Sequence, residues 1–193
     1  MSCPLDCEYL LEARRHERFE EIPESQLPNR DIPVTEEFLE TRDPLLGFLS
    51  MSLLGAAAQT PNAIDADVRE ALAAMIQTLR TSRSGLIYET KPPNPIAAAI
   101  QDKVNQNIAS LRERMAERSG GSSHIPDTDL LGIFVFLHRV ALVWDNKRPK
   151  SRSFMSFLIG RQAGMAVPPG AGAPEEEPSP LAPPAAGSSL IIP

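Results

Sequence analysis

A chain of 193 residues, 42% hydrophobic and 23% charged, has the make-up of a soluble globular protein and suits one domain plus a tail. Its net charge of −6 argues against broad coating of nucleic acid. That charge is uneven: residues 1–43 carry twelve acids against five Lys and Arg, whereas Arg139 to Arg161 holds six basic residues and one acid, which keeps a local phosphate or acidic-partner site open.

Two cysteines, Cys3 and Cys7, do not make a disulfide framework. The start of the chain runs into Glu, Arg and His rather than an apolar stretch, so no signal peptide is expected and the cytoplasm is the expected compartment. Residues 8–22 read as a highly charged helix with Tyr9, Leu10, Leu11 and Phe19 as its few apolar contacts. A helix this short is marginal in water and must dock on the body or fray. Pro23, Pro28 and Pro33 then predict an extended connector over 23–34.

Thr35 is a good N-cap, with Glu36 and Glu37 in the first turn where the helix dipole favours acids, and this helix reaches about Thr41. A second start follows at Asp43, as cap, with Pro44 at the first helical position. The run Leu45–Ala58 is almost uncharged, and it contains Gly47 and Gly55. Each is unfavourable in a helix by about 1 kcal/mol relative to Ala, which suggests close approach to another helix, with 130–144 as the expected partner.

Asp65 is expected to cap the next helix, which runs to about Ile87 with Val68, Leu72, Met75, Ile76 and Leu79 at helical spacing and Gly85 weakening its last turns. After the turn-forming segment from Tyr88, Asn94 is a cap and Pro95 a first helical residue. Ile96, Ile100, Val104, Ile108, Leu111 and Met115 then mark the clearest amphipathic helix, closed by Gly120-Gly121.

From Leu130 to Trp144 everything except His138 and Arg139 is apolar or glycine. A helix apolar nearly all round lies inside a protein or a bilayer. About 15 residues fall short of the roughly 20 of a membrane span, so a buried central helix is predicted and no membrane partner. Asn146-Lys147-Arg148-Pro149 breaks it, and a last helix runs from Ser151 to about Gln162. No stretch alternates with period two. The fold class is therefore all-α, an irregular bundle of about six helices around the buried central helix.

Three regions follow: a charged N-terminal helix and connector over 1–34, the bundle over 35–162, and a Pro/Ala-rich tail over 163–193. The tail composition cannot bury enough surface to offset ordering entropy, so disorder is expected there. It nevertheless ends on Leu190-Ile191-Ile192-Pro193. In its placement the stretch from Gly187 to Pro193 resembles the loading peptides by which cargo proteins enter protein compartments. An apolar peptide on such a spacer is a candidate partner-binding element.

Cys3 and Cys7, at i and i+4, would share a helix face and supply half of a tetrahedral zinc site. His16 lies about 13 Å further along a straight helix, too far to complete it. His124, His138 or a second chain would have to supply the rest. No other cofactor is expected. Arg139, Lys147, Arg148, Lys150 and Arg152, with Arg161 beyond them, form a candidate anion or partner-binding cluster. Within it Ser151 and Ser153 open the last helix, where N–H groups and neighbouring Arg welcome a phosphate or carboxylate. The plainer alternative has Lys147 and Arg148 offsetting the negative end of the central helix while Arg152 and Arg161 face water. His138 and Arg139, inside the buried run, are expected to be satisfied by a carboxylate on a neighbouring helix or, for Arg139, to reach the surface along its aliphatic stem.

There is no P-loop, dinucleotide fingerprint, His-Glu-x-x-His or Gly-x-Ser-x-Gly pattern. The expected function is a non-catalytic cytoplasmic protein-interaction module, adaptor or cargo-like, with another protein as partner. A metal or redox protein using Cys3 and Cys7, and a phosphate or nucleic-acid binder using the 139–161 segment, are the alternatives. No recognition motif supports nucleic acid, and the sequence does not set the oligomeric state.

Overall fold

The computed structural model describes residues 22–85, 88–120 and 124–162. The helix expected over 8–22, Cys3, Cys7 and the whole of 163–193 lie outside the described residues. Six α-helices and no strand form among those described: α1 Glu36–Thr41, α2 Asp43–Ala58, α3 Asp65–Arg83, α4 Pro95–Ser119, α5 Asp127–Val143 and α6 Ser153–Gln162. None is long and apolar enough to cross a membrane.

Local chemistry sets most of the helix ends. Thr35 Oγ1 accepts the Phe38 N–H at 3.1 Å and opens α1. Asn94 Oδ1 accepts the Ile96 N–H at 2.9 Å and opens α4, which closes on Gly120 in the left-handed conformation. Two expected caps are displaced by one residue. Arg42, not Asp43, is the N-cap of α2, because α1 runs into it almost without a break. Ile64, not Asp65, precedes α3, and its N–H is held by the Asp67 carboxylate at 2.8 Å. α3 also stops at Arg83 rather than near Ile87, since Gly85 turns left-handed with φ of 81°.

The core follows from the apolar faces. α5 packs chiefly on α3, α3 also on α4, and α4 on α2, while α6 bridges α2 and α3. Leu130, Leu131, Ile133, Phe134, Val135 and Leu137 are all buried, so α5 is enclosed along its first half. Beyond His138 only Ala141 is fully buried, and Val140 and Trp144 are half-covered. Trp144 stacks on Phe157 of α6 with ring centroids 4.5 Å apart, which continues the cover at that end.

The glycines of α2 do not serve the contact expected of them. α2 meets α4 over most of its length and touches α5 only slightly, and a Cβ at Gly47 or Gly55 would meet nothing within 4 Å. The close approach is at Gly132 of α5. A Cβ there would lie 2.6 Å from Cζ and 2.9 Å from Cε1 of Phe38, so the absence of a side chain seats the α1 ring on the central helix.

Opposite signs are therefore expected for three Gly→Ala substitutions in urea unfolding. Gly47→Ala and Gly55→Ala should stabilise by up to about 1 kcal/mol each through helix propensity. Gly132→Ala gains the same term but overpacks Phe38, a cost of about 1–3 kcal/mol, and should destabilise on balance. Phe38→Leu in the Gly132→Ala background should recover part of that loss. Stabilisation by Gly132→Ala equal to that of Gly47→Ala would contradict the packing.

Candidate functional site

The sequence places an anion site where α6 begins, and the structure fills that position with a carboxylate of its own. Asp65, the first residue of α3, accepts the Phe154 N–H at 3.0 Å and the Met155 N–H at 3.2 Å. The Ser151 hydroxyl donates to the same carboxylate at 3.0 Å, and the Asp65 N–H donates back to the Ser151 carbonyl at 2.8 Å. Asp65 thus caps a helix 89 residues away in sequence rather than its own. It is wholly buried. Burial pushes its carboxyl up to about 6, against the opposing pull of the Phe154 and Met155 N–H groups, the Ser151 hydroxyl and the Arg69 cation.

The basic residues divide into two sets. Among the described residues Arg139 meets backbone carbonyls rather than a carboxylate: its Nε donates to the Pro28 carbonyl at 3.2 Å, and its Nη2 to those of Asn29 at 2.8 Å and Ile32 at 3.3 Å. It thereby fastens the connector, which is not extended throughout but forms a 3-10 turn at Glu24–Gln26 and turns again at Asn29, φ 55°. Arg152 Nε donates to the Ala63 carbonyl at 3.1 Å, and Arg161 pairs with Asp43 at 3.9 Å. Lys147, Arg148 and Lys150 are exposed on the loop between α5 and α6. Lys147 and Lys150 are left-handed there, with φ of 57° and 62°, and Lys147 Nζ lies 3.4 Å from Asp145. The Arg148 N–H donates to Asn146 Oδ1 at 3.1 Å.

His138 differs from its expectation as well. Its Nδ1 is buried and without a hydrogen-bond partner among the described residues. Burial first, and then the nearby Arg69 cation, hold its pKa below the ordinary histidine value, so the ring is neutral at pH 7. Arg69 itself turns towards Asp145, at 3.4 Å. Among the described residues no group of three or more His, Cys, Asp or Glu side chains is placed to hold a metal ion. Cys3 and Cys7 are not among them, and neither are Leu190, Ile191 and Ile192.

Between the first turns of α2, the last turns of α4 and the approach to α5 lies an open groove of about 310 Å³. Pro44, Leu45 and Phe48 of α2, Leu111 and Met115 of α4, and Ile125 and Pro126 before α5 line it together with Arg42, His124 and Asp129, and the surface exposed within it is almost wholly apolar. Two ion pairs to the first turn of α5 bracket it. Arg42 Nε meets Asp129 Oδ2 at 2.5 Å, and Arg112 Nη2 meets Asp127 Oδ1 at 2.6 Å while also donating to the Ile125 carbonyl at 3.3 Å. Ile108 is the last buried residue of the α4 stripe, and Leu111 and Met115 continue it only half-covered. The stripe itself is legible in the sequence, but only the fold shows that its cover ends before Leu111 and Met115.

A second cavity, of about 240 Å³ between α3, α4 and α5, is more polar. Gln101 on its wall donates to the Thr90 carbonyl at 2.8 Å and to Glu89 at 3.2 Å. The Oε1 atom of Gln101 is buried and without a hydrogen-bond partner among the described residues.

No family model, curated protein or solved structure matches this chain.

The Asp65 joint predicts a pH signature. The folded carboxyl holds its proton more tightly than the unfolded one, with 3.8 as its ordinary value and about 6 in the fold. Its contribution is therefore fullest below pH 4 and is lost as pH rises to about 6, by roughly 3 kcal/mol. Denaturant unfolding of the native chain and Asp65→Asn over pH 4–7 should show the native chain losing that amount relative to the variant. Parallel stability curves would contradict it.

Proposed function

We propose that this chain is a non-catalytic, cytoplasmic protein-interaction module, adaptor or cargo-like, whose working surface is the α2/α4/α5 groove. The observation that carries this reading is an open groove with an almost wholly apolar exposed lining, beside a core that takes up most of the other large apolar side chains. The fitting occupant is a short aliphatic peptide of the Leu-Ile-Ile type, the chemistry that this chain itself carries at Leu190–Ile192. Anchoring of apolar side chains in a helical groove is a recurrent mode of peptide recognition. The tethered Leu190–Ile192 peptide supplies a second contact, to a partner protein with a groove or sheet edge of its own.

The magnitude is modest. Each aliphatic side chain buried contributes about 1.5–3 kcal/mol, and part of that is offset by ordering the peptide, so a dissociation constant near 1 mM is expected. Methyl NMR of the full chain, titrated with the synthetic peptide Gly-Ser-Ser-Leu-Ile-Ile-Pro, tests this. Saturable shifts should centre on Leu45, Leu111 and Ile125, be absent for a peptide with three serines in place of Leu-Ile-Ile, and weaken about 10-fold or more in Leu45→Glu. Shifts scattered over the surface, or undiminished in Leu45→Glu, would remove the groove from the function.

A further inference from the structure

We propose that the groove is occupied within a single molecule by Leu190–Ile192 of the same chain, so that a partner peptide must displace an internal one. This rests on the groove being a peptide site, as proposed above. Three observations point to this occupant. The end of α6 lies near the α2 side of the groove: Arg161, in its last turn, is 3.9 Å from Asp43, whose chain neighbours Arg42, Pro44 and Leu45 line the groove. The 163–193 segment concentrates its β-branched and leucine side chains at Leu190–Ile192, apart from Val167 and Leu181, and has no Lys or Arg. Its chain length is ample. Roughly 27 residues separate Gln162 from Leu190, with an extended reach of up to about 90 Å.

The physical consequence is competition by effective concentration. A peptide joined to its own site through a linker of this length experiences a local concentration on the order of millimolar. An intrinsic dissociation constant near 1 mM is useless between dilute molecules, but on a tether it keeps the site closed for much of the time. The latch also hides an aliphatic peptide that would otherwise be exposed. An incoming partner that takes either the groove or the peptide frees the other, which couples the two contacts of the module.

The test compares the native full chain with a full chain carrying Leu190→Ser, Ile191→Ser and Ile192→Ser. Two readouts are taken: the affinity for the Gly-Ser-Ser-Leu-Ile-Ile-Pro peptide, and the methyl positions of Leu45, Leu111 and Ile125 without peptide at two protein concentrations. The latch predicts that the serine variant binds the peptide about 2- to 10-fold more tightly. It also predicts that its groove methyls differ from the native ones by an amount independent of protein concentration. Equal affinities and coincident methyls overturn the latch while leaving the groove as a peptide site. Differences that grow with protein concentration overturn it in favour of exchange between copies. Binding by neither chain overturns the peptide-site reading itself, and the latch falls with it.

Discussion

The carboxylate of Asp65 is the joint on which the arrangement of this bundle turns. It begins α3, yet its two oxygens close the first N–H groups of α6, and the Ser151 carbonyl takes its own N–H in return. A short helix of ten residues has little stability of its own. Seated by a buried carboxylate and by Phe154, Met155 and Leu158, α6 gains a fixed position between α2 and α3. Orphan N–H groups left in that interior would each cost about 1–3 kcal/mol, comparable to a large part of a domain's net stability.

The same joint explains why a basic, serine-rich segment need not be an anion site. The charge that Ser151, Arg152 and the α6 start would welcome is already present within the fold. Arg152 and Arg139 are turned towards backbone carbonyls, where a guanidinium satisfies several acceptors at once. The loop cations Lys147, Arg148 and Lys150 remain at the surface, while the apolar opening lies elsewhere, bracketed by Arg42–Asp129 and Arg112–Asp127. Those pairs tie α2 and α4 to the start of α5 beside the groove.

What the sequence showed and what it hid divide along range. Thr35, Asn94, Pro95 and Gly120 act on backbone groups within a few residues, so their roles were legible, as was the α4 stripe from Ile96 to Ile108. The central helix was legible because its composition leaves it no place in water. The neighbours of Asp65 in sequence make it look like the cap of its own helix, whereas its partners are 89 and 90 residues distant. Gly47 and Gly55 attracted notice as costly residues in an apolar helix. The glycine at the close approach, Gly132, is concealed in a run where nearly every neighbour is apolar, and its partner Phe38 sits on a helix of six residues. Leu111 and Met115 share the spacing of the buried stripe, and spacing alone does not tell where the covering helix stops.

The most direct test of the joint is to follow the backbone amide proton shifts of Phe154 and Met155 from pH 4 to pH 8 in the full chain. If both groups donate to the buried Asp65 carboxylate, the two shifts should move together with one midpoint at about 6. Two flat curves would show that α6 is capped by something else, whereas a shared midpoint at the ordinary aspartate value near 4 would show that the carboxylate closing it is not the buried one described here.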